Sequence, residues 1–340
     1  MVSICSANDL CSMNTGKGKD LRLYRIIRRL KNWMKKDVPV QKPAARRLPP
    51  LFPSHEERAV LALLQAGKQE RVSRSARSLR ELEYGYMSQF GEDGILEYLT
   101  ARVPEKDQWF VEFGVQDYVE SNTRLLLLRD YWKGLILDGS ESQIGSIRNR
   151  PDFWRVNLRA ECHFLTKENI VPIIDRNGFG GRPGLLSVDI DGNDYWVWEA
   201  LRELKPWVVV CEYNSTFGPS ADVSVPYRAD FQRELGHPSG RYFGASLTAL
   251  VRLGESMGLH FVGVNGAGHN AFFVDPEIQG ELPTLSAQEG FRPTTFRETR
   301  NLDGELTLSD AWPEDPGYRR LPLHDFRTGR QISVGDIAPD

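Results

Sequence analysis

The 340-residue chain has four cysteines, and their spacing fits no metal-binding or redox pattern. Cys5, Cys11, Cys162 and Cys211 offer no disulfide framework, which points to a reducing compartment. No run approaches the roughly 18–20 consecutive apolar residues of a membrane span. The opening stretch, MVSICSANDLCSMNTGKGKD, lacks the apolar segment of a secretory signal, so the expected location is cytoplasmic. Neither sign of charge predominates. A formal net charge of −3 gives no electrostatic reason to expect nucleic acid as a partner. A complete G-x-G-x-x-G, a phosphate loop, a zinc signature and any Ser-His-Asp or Cys-His constellation are also missing.

What is present describes a globular protein. Hydrophobic content is 40% and charged content 26%, enough for one large α/β domain with extensions or for two modest ones. From Lys17 to Lys36 the chain is strongly basic, and Leu23, Ile26, Ile27, Leu30, Trp33 and Met34 recur at helical spacing. Such a helix suits peripheral contact with an anionic membrane surface; packing on its own domain or on a partner is the alternative. A proline-rich linker follows. The expected division is 1–45 for the basic helix and linker, 46–87 for a helical cap, 88–280 for the core and 281–340 for an irregular extension.

Within the core, strands and helices alternate. QWFVEFGV, GLILDG, RVNLRAECHF, LLSVDID and WVVVCEY read as five strands, with NTRLLLLRDYW, a segment from Thr166 to Arg176, and DYWVWEALREL as helices between them. Ser121 or Asn122 is placed to cap the first of these helices. Alternation implies a parallel sheet with right-handed crossovers. The last two strands, LHFVGV and NAFFV, are joined by only NGAGH, too short for a crossover, so they must form an antiparallel hairpin. A mainly parallel seven-stranded sheet ending in a hairpin is the Rossmann-like arrangement of class I methyltransferases. A nicotinamide-dependent oxidoreductase would continue with another crossover helix.

Ligands of such sheets bind at the carboxyl ends of the strands. There stand Glu112, Gly114 and Asp117 after the first strand. Gly114 would allow close backbone approach to a ligand, and Glu112 would accept from an ammonium group. Asp138 ends the second strand, roughly 20–25 residues beyond Gly114, the spacing of a carboxylate that binds ribose hydroxyls. Asp189 and Asp191 follow the fourth strand, with Asp194 placed to cap the next helix. Glu212 and Asn214 follow the fifth. Hard oxygen donors from adjacent strand ends suit Mg²⁺ or another divalent cation, here through Asp191, Glu212 and Asn214; a metal-free polar site is the alternative. His269 in the hairpin loop, or His237 in the long connection, would take an acceptor's proton.

SQFGEDGIL, VEFGV with SNT, GLILDGS, LLSVDIDGNDYWVWEAL, CEYNSTFGP and GHNAFFV together resemble FkbM-type S-adenosylmethionine-dependent methyltransferases, in a bacterial branch associated with surface polysaccharide. The resemblance spans roughly Ser88 to Val274. It implies S-adenosylmethionine as cofactor, bound at Glu112, Gly114 and Asp138, with Asp117 added as a cofactor-binding candidate from its place after the first strand. It also implies O-methylation of a hydroxyl on a small molecule or glycan, with Asp189 and Asp191 at the reaction; His269 joins them as a catalytic candidate from its place in the hairpin loop. The chain departs from the pattern at Tyr118, where glycine is common; a ring there would narrow the adenosyl pocket or stack on adenine. That departure, with the glycine-poor first loop, motivates a second reading: a non-catalytic scaffold or carbohydrate-binding protein that kept the fold.

Overall fold

The computed structural model describes residues 50–295, 299–308 and 315–337. The basic segment 17–36 lies outside the described residues. Seven strands form the central sheet: β1 (Trp109–Phe113), β2 (Lys133–Asp138), β3 (Leu158–Cys162), β4 (Leu185–Val188), β5 (Val208–Glu212), β7 (His260–Val264) and β8 (Asn270–Val274), with β6 (Val223–Ser224) set apart. Their order is β3-β2-β1-β4-β5-β8-β7. The first five are parallel, while β8 runs antiparallel to both β5 and β7. This is the Rossmann-like class I methyltransferase sheet that the short NGAGH link predicts. The chain leaves β1 toward β2 and β3, then returns to place β4 on the other side of β1. That reversal opens a crevice above the carboxyl ends of β1 and β4.

The strands are apolar throughout because both faces are covered. Phe110, Ile136, Leu185, Val208, Val210 and Phe272 meet one layer of helices, whereas their neighbours Val111, Leu135, Leu186, Val209, Cys211 and Phe273 meet the other. The first layer holds α1 (His55–Ser73), α2 (Glu92–Thr100), α3 (Arg124–Leu128) and α4 (Glu141–Arg148). The second holds α5 (Ile170–Arg176), α6 (Asp194–Ala200) and, after the short α7 (Arg233–Gly236) in the long connection, α8 (Leu247–Ser256). Pro172 falls in the first turn of α5, where its missing N–H is tolerated. Ser246 caps α8 by accepting from the Ala249 N–H.

Two local expectations change. Ser121 and Asn122 do not cap α3; its N-cap is Thr123, without a side-chain cap bond. The end of the chain is not irregular. There β9 (Pro322–Asp325) and β10 (Arg330–Ser333) form a hairpin that pairs with β6 in a second, three-stranded sheet. Tyr318, Leu323 and Val334 join Phe217, Phe231 and Phe243 of the long connection in a core of their own. Before the Rossmann-like core, Leu51, Leu61 and Leu79 pack into the first helical layer's core, so this segment covers one side of the sheet. Among the described residues no helix is long and apolar enough to cross a membrane.

Candidate active-site cleft

A cleft of about 750 Å³ opens above the carboxyl ends of β1, β2, β4 and β5, and Glu112, Gly114, Asp117, Asp138, Asp189, Asp191, Glu212, Asn214 and His269 all line it. The strands converge there because each motif sits at a strand end. What each side chain does in the cleft differs from its sequence reading in several places.

On the β1–β2 wall, Glu112 is buried and turned toward its own loop. It accepts from the Ser121 hydroxyl at 2.6 Å, the Asn122 N–H at 3.0 Å, the Thr123 N–H at 3.3 Å and the Thr123 hydroxyl. Burial raises its pKa while these bonds oppose the rise. Glu112 therefore shapes the Ser121–Thr123 turn mainly through Oε2, while Oε1, with a single bond, keeps a lone pair for a further donor. Gly114 also has a different reason to be glycine. At φ +72° a β-carbon there would lie 1.6 Å from the Asp189 carbonyl oxygen, so the residue lets the β1 and β4 loops touch. Asp117 accepts from the Val119 N–H at 3.0 Å in a local turn. Asp138 accepts one backbone N–H on each oxygen, from Gln116 and Ser140, both at 2.8 Å. Each oxygen keeps a lone pair for a further donor. Tyr118 neither narrows the cleft nor faces it. Its ring is fully buried in the first layer's core, with its hydroxyl 2.8 Å from that of Thr123.

The β4–β5 wall is built on charge. Carboxylate oxygens of Asp189, Asp191 and Glu212 lie within 4.8 Å of one another. Burial, then repulsion by Asp191 and Asp194, holds Asp189 well above the usual carboxylate range. Burial, then Asp189 and Asp191, does the same for Glu212. Glu212 Oε2 is buried with no hydrogen-bond partner. Asp191 stands at φ +56°, a left-handed backbone that costs a non-glycine residue about 1–3 kcal/mol and recurs at ligand sites. Asp194, fully buried, is the first residue of α6 rather than its cap. It turns back to accept from the Ile190 N–H at 2.7 Å and the Gly192 N–H at 2.8 Å, fixing the acidic loop, and burial pushes it up to about 6.

Asn214, expected as an oxygen ligand, is held elsewhere. Its amide N–H groups donate to the Arg241 and Phe243 carbonyls at 2.9 and 3.0 Å, and its oxygen accepts from the Thr216 N–H at 3.0 Å. The oxygen cluster is instead Asp189, Asp191 and Glu212. Three mutually repelling carboxyls and one unmatched oxygen fit a divalent cation of the hard, oxygen-binding class.

His269 faces the cleft, with Nδ1 3.0 Å from the Thr294 hydroxyl and its ring 4.7 Å from that of Phe90. Burial lowers its pKa to about 4, so the imidazole is neutral at physiological pH and a weak base. His237 lies outside the cleft, bonded to Ser239 and Asp315.

Two features of the site escape sequence reading. Glu92, in the GED of SQFGEDGIL, lines the cleft and accepts from the Asn265 and Asn270 side chains at 2.8 and 3.0 Å, tying α2 to the hairpin. Arg233, from the long connection, forms an ion pair with Asp191. A lone arginine opening a four-residue helix in a long connection carries no sequence signal; the GED acids were visible, but their reach to a hairpin far along the chain was not.

No protein-family model matches the chain, and no curated protein is significantly similar to it. Among solved structures, an O-methyltransferase family protein from Burkholderia thailandensis is 12% identical with a TM-score of 0.34, over 75% of this chain and 70% of that one.

Proposed function

We propose that this protein is an S-adenosylmethionine-dependent O-methyltransferase whose acceptor is a hydroxyl, in the surface-glycan setting that the FkbM resemblance implies, and that a divalent cation assists it. One observation carries the reading: a ribose-type carboxylate, Asp138, and an incompletely matched acidic trio face the same cleft at the switch point of this sheet. Asp138 has the spare acceptor capacity for two vicinal hydroxyls. Gly114 and Glu112 hold the loops that shape the donor side. The full burial of Tyr118 removes one of the two motives for the non-catalytic reading and leaves the glycine-poor first loop as the other.

Bound S-adenosylmethionine supplies an electrophilic methyl on a good leaving centre, so the residues here have chiefly to align a nucleophile with it. Asp189, Asp191 and Glu212 would hold the cation, which lowers the pKa of a coordinated hydroxyl. That division suits His269, whose low pKa disfavours it as a strong base but leaves it a neutral partner for a hydroxyl.

Isothermal calorimetry with S-adenosylmethionine tests the donor site directly. Asp138→Ala should weaken binding by at least about tenfold, through loss of charge-assisted hydrogen bonds. Asp191→Ala should keep donor affinity and lose turnover. The reading fails if the wild type gives no heat, or if both variants retain wild-type affinity and rate.

A further inference from the structure

The acidic trio is partly neutralised by a group from another part of the fold. Arg233 pairs with Asp191, which is itself 48% exposed at the side chain. The guanidinium is fixed from behind: Nε donates to the Gly240 carbonyl at 2.8 Å, and Cζ sits 3.8 Å from the centre of the Phe243 ring. Phe243 in turn belongs to the small core shared by the long connection and the C-terminal strands. Arg233 thus joins the acidic loop after β4 to the wall of the cleft formed by the connection after β5. A guanidinium and a divalent ion answer the same need, positive charge beside Asp191, Asp189 and Glu212. Charges so close compete.

We infer that Arg233 stands in for the cation in the cation-free protein, latching the connection wall onto Asp191, and that cation binding displaces it from Asp191. This rests on the cation reading given above. Arg233 is then a positioning residue: it keeps the acidic loop ordered before a cation binds and frees the wall once one does. Glu212 Oε2, which Arg233 leaves without a partner, is the oxygen the arginine does not satisfy and the ion would.

The test is Mn²⁺ binding to the full-length protein, followed by electron paramagnetic resonance at about pH 8.5, where proton competition with the carboxylates is weak. Arg233→Gln should tighten Mn²⁺ by about tenfold, and Arg233→Lys, which keeps the charge but not the fork, should fall between it and the wild type. Tighter binding is a gain that a damaged fold does not produce. Asp191→Asn serves as the control and should weaken Mn²⁺ strongly. If the wild type binds Mn²⁺ and Arg233→Gln binds it equally or more weakly, the latch is wrong while the cation site stands. If wild type and Arg233→Gln both fail to bind it, the cation reading and the latch fall together, and donor binding remains a separate measurement.

Discussion

The β1–β2 wall and the β4–β5 wall of the cleft both carry carboxylates, yet they are stabilised in opposite ways. Glu112 and Asp138 have both oxygens bonded to nearby N–H or O–H groups, and Asp138 retains acceptor capacity without strain. Asp189, Asp191 and Glu212 crowd one another, one oxygen is orphaned, and the backbone at Asp191 is left-handed. The first wall is organised before any ligand arrives. The second holds unfavourable electrostatics that a ligand would relieve, which is where functional sites depart from local consistency.

The largest expected effect strikes the contact between the two walls. Gly114→Ala forces a methyl against the Asp189 carbonyl and requires a left-handed alanine, and it should destabilise the fold by about 3–4 kcal/mol in urea titrations. A loss below about 1 kcal/mol would mean that the walls are not coupled through this glycine.

His269 gives the next effect. Its folded pKa, about 4, lies below the ordinary 6.5, so the unfolded chain binds the extra proton between those values. Stability should therefore fall as pH drops from about 6.5 toward 4, by about 2 kcal/mol after allowance for partial exposure, and His269→Gln should flatten that part of the profile. An unchanged slope in the variant would detach His269 from the buried side of the cleft.

Glu212→Gln should produce the smallest change, of the opposite sign. The Glu212 pKa is raised in the fold, so its favourable contribution is complete below the ordinary carboxylate value and is lost as pH rises through the folded one. In cation-free buffer the variant should gain on the wild type with rising pH, on the order of 1–2 kcal/mol, as a buried unmatched charge is removed. Parallel pH profiles for the two proteins would put the β4–β5 wall on the same footing as its neighbour.

Much of this was readable along the chain. NGAGH is too short for a crossover, so the hairpin and the fold class followed from chain geometry. Strand ends marked by Asp138, Asp189 and Glu212 were legible because apolar runs stop there. The role of Glu112 was not, because its partners depend on how the Ser121–Thr123 turn folds back. Tyr118 looked like an obstacle because a sequence gives position and not direction. The β9–β10 hairpin was missed since its strand partner, β6, is only two residues long and lies about a hundred residues earlier.

Local pattern by itself determined the succession of the seven central strands, the parallel sheet with its antiparallel end, and the line of carboxylates along the strand tips. These follow from periodicity and link length, which are properties of neighbouring residues. Only the tertiary structure decided which carboxylates are satisfied and which repel, that Asn214 braces a loop, and that Arg233 answers Asp191. Burial, hydrogen-bond partners and charge balance depend on groups brought close from distant parts of the chain, and no local pattern carries that information.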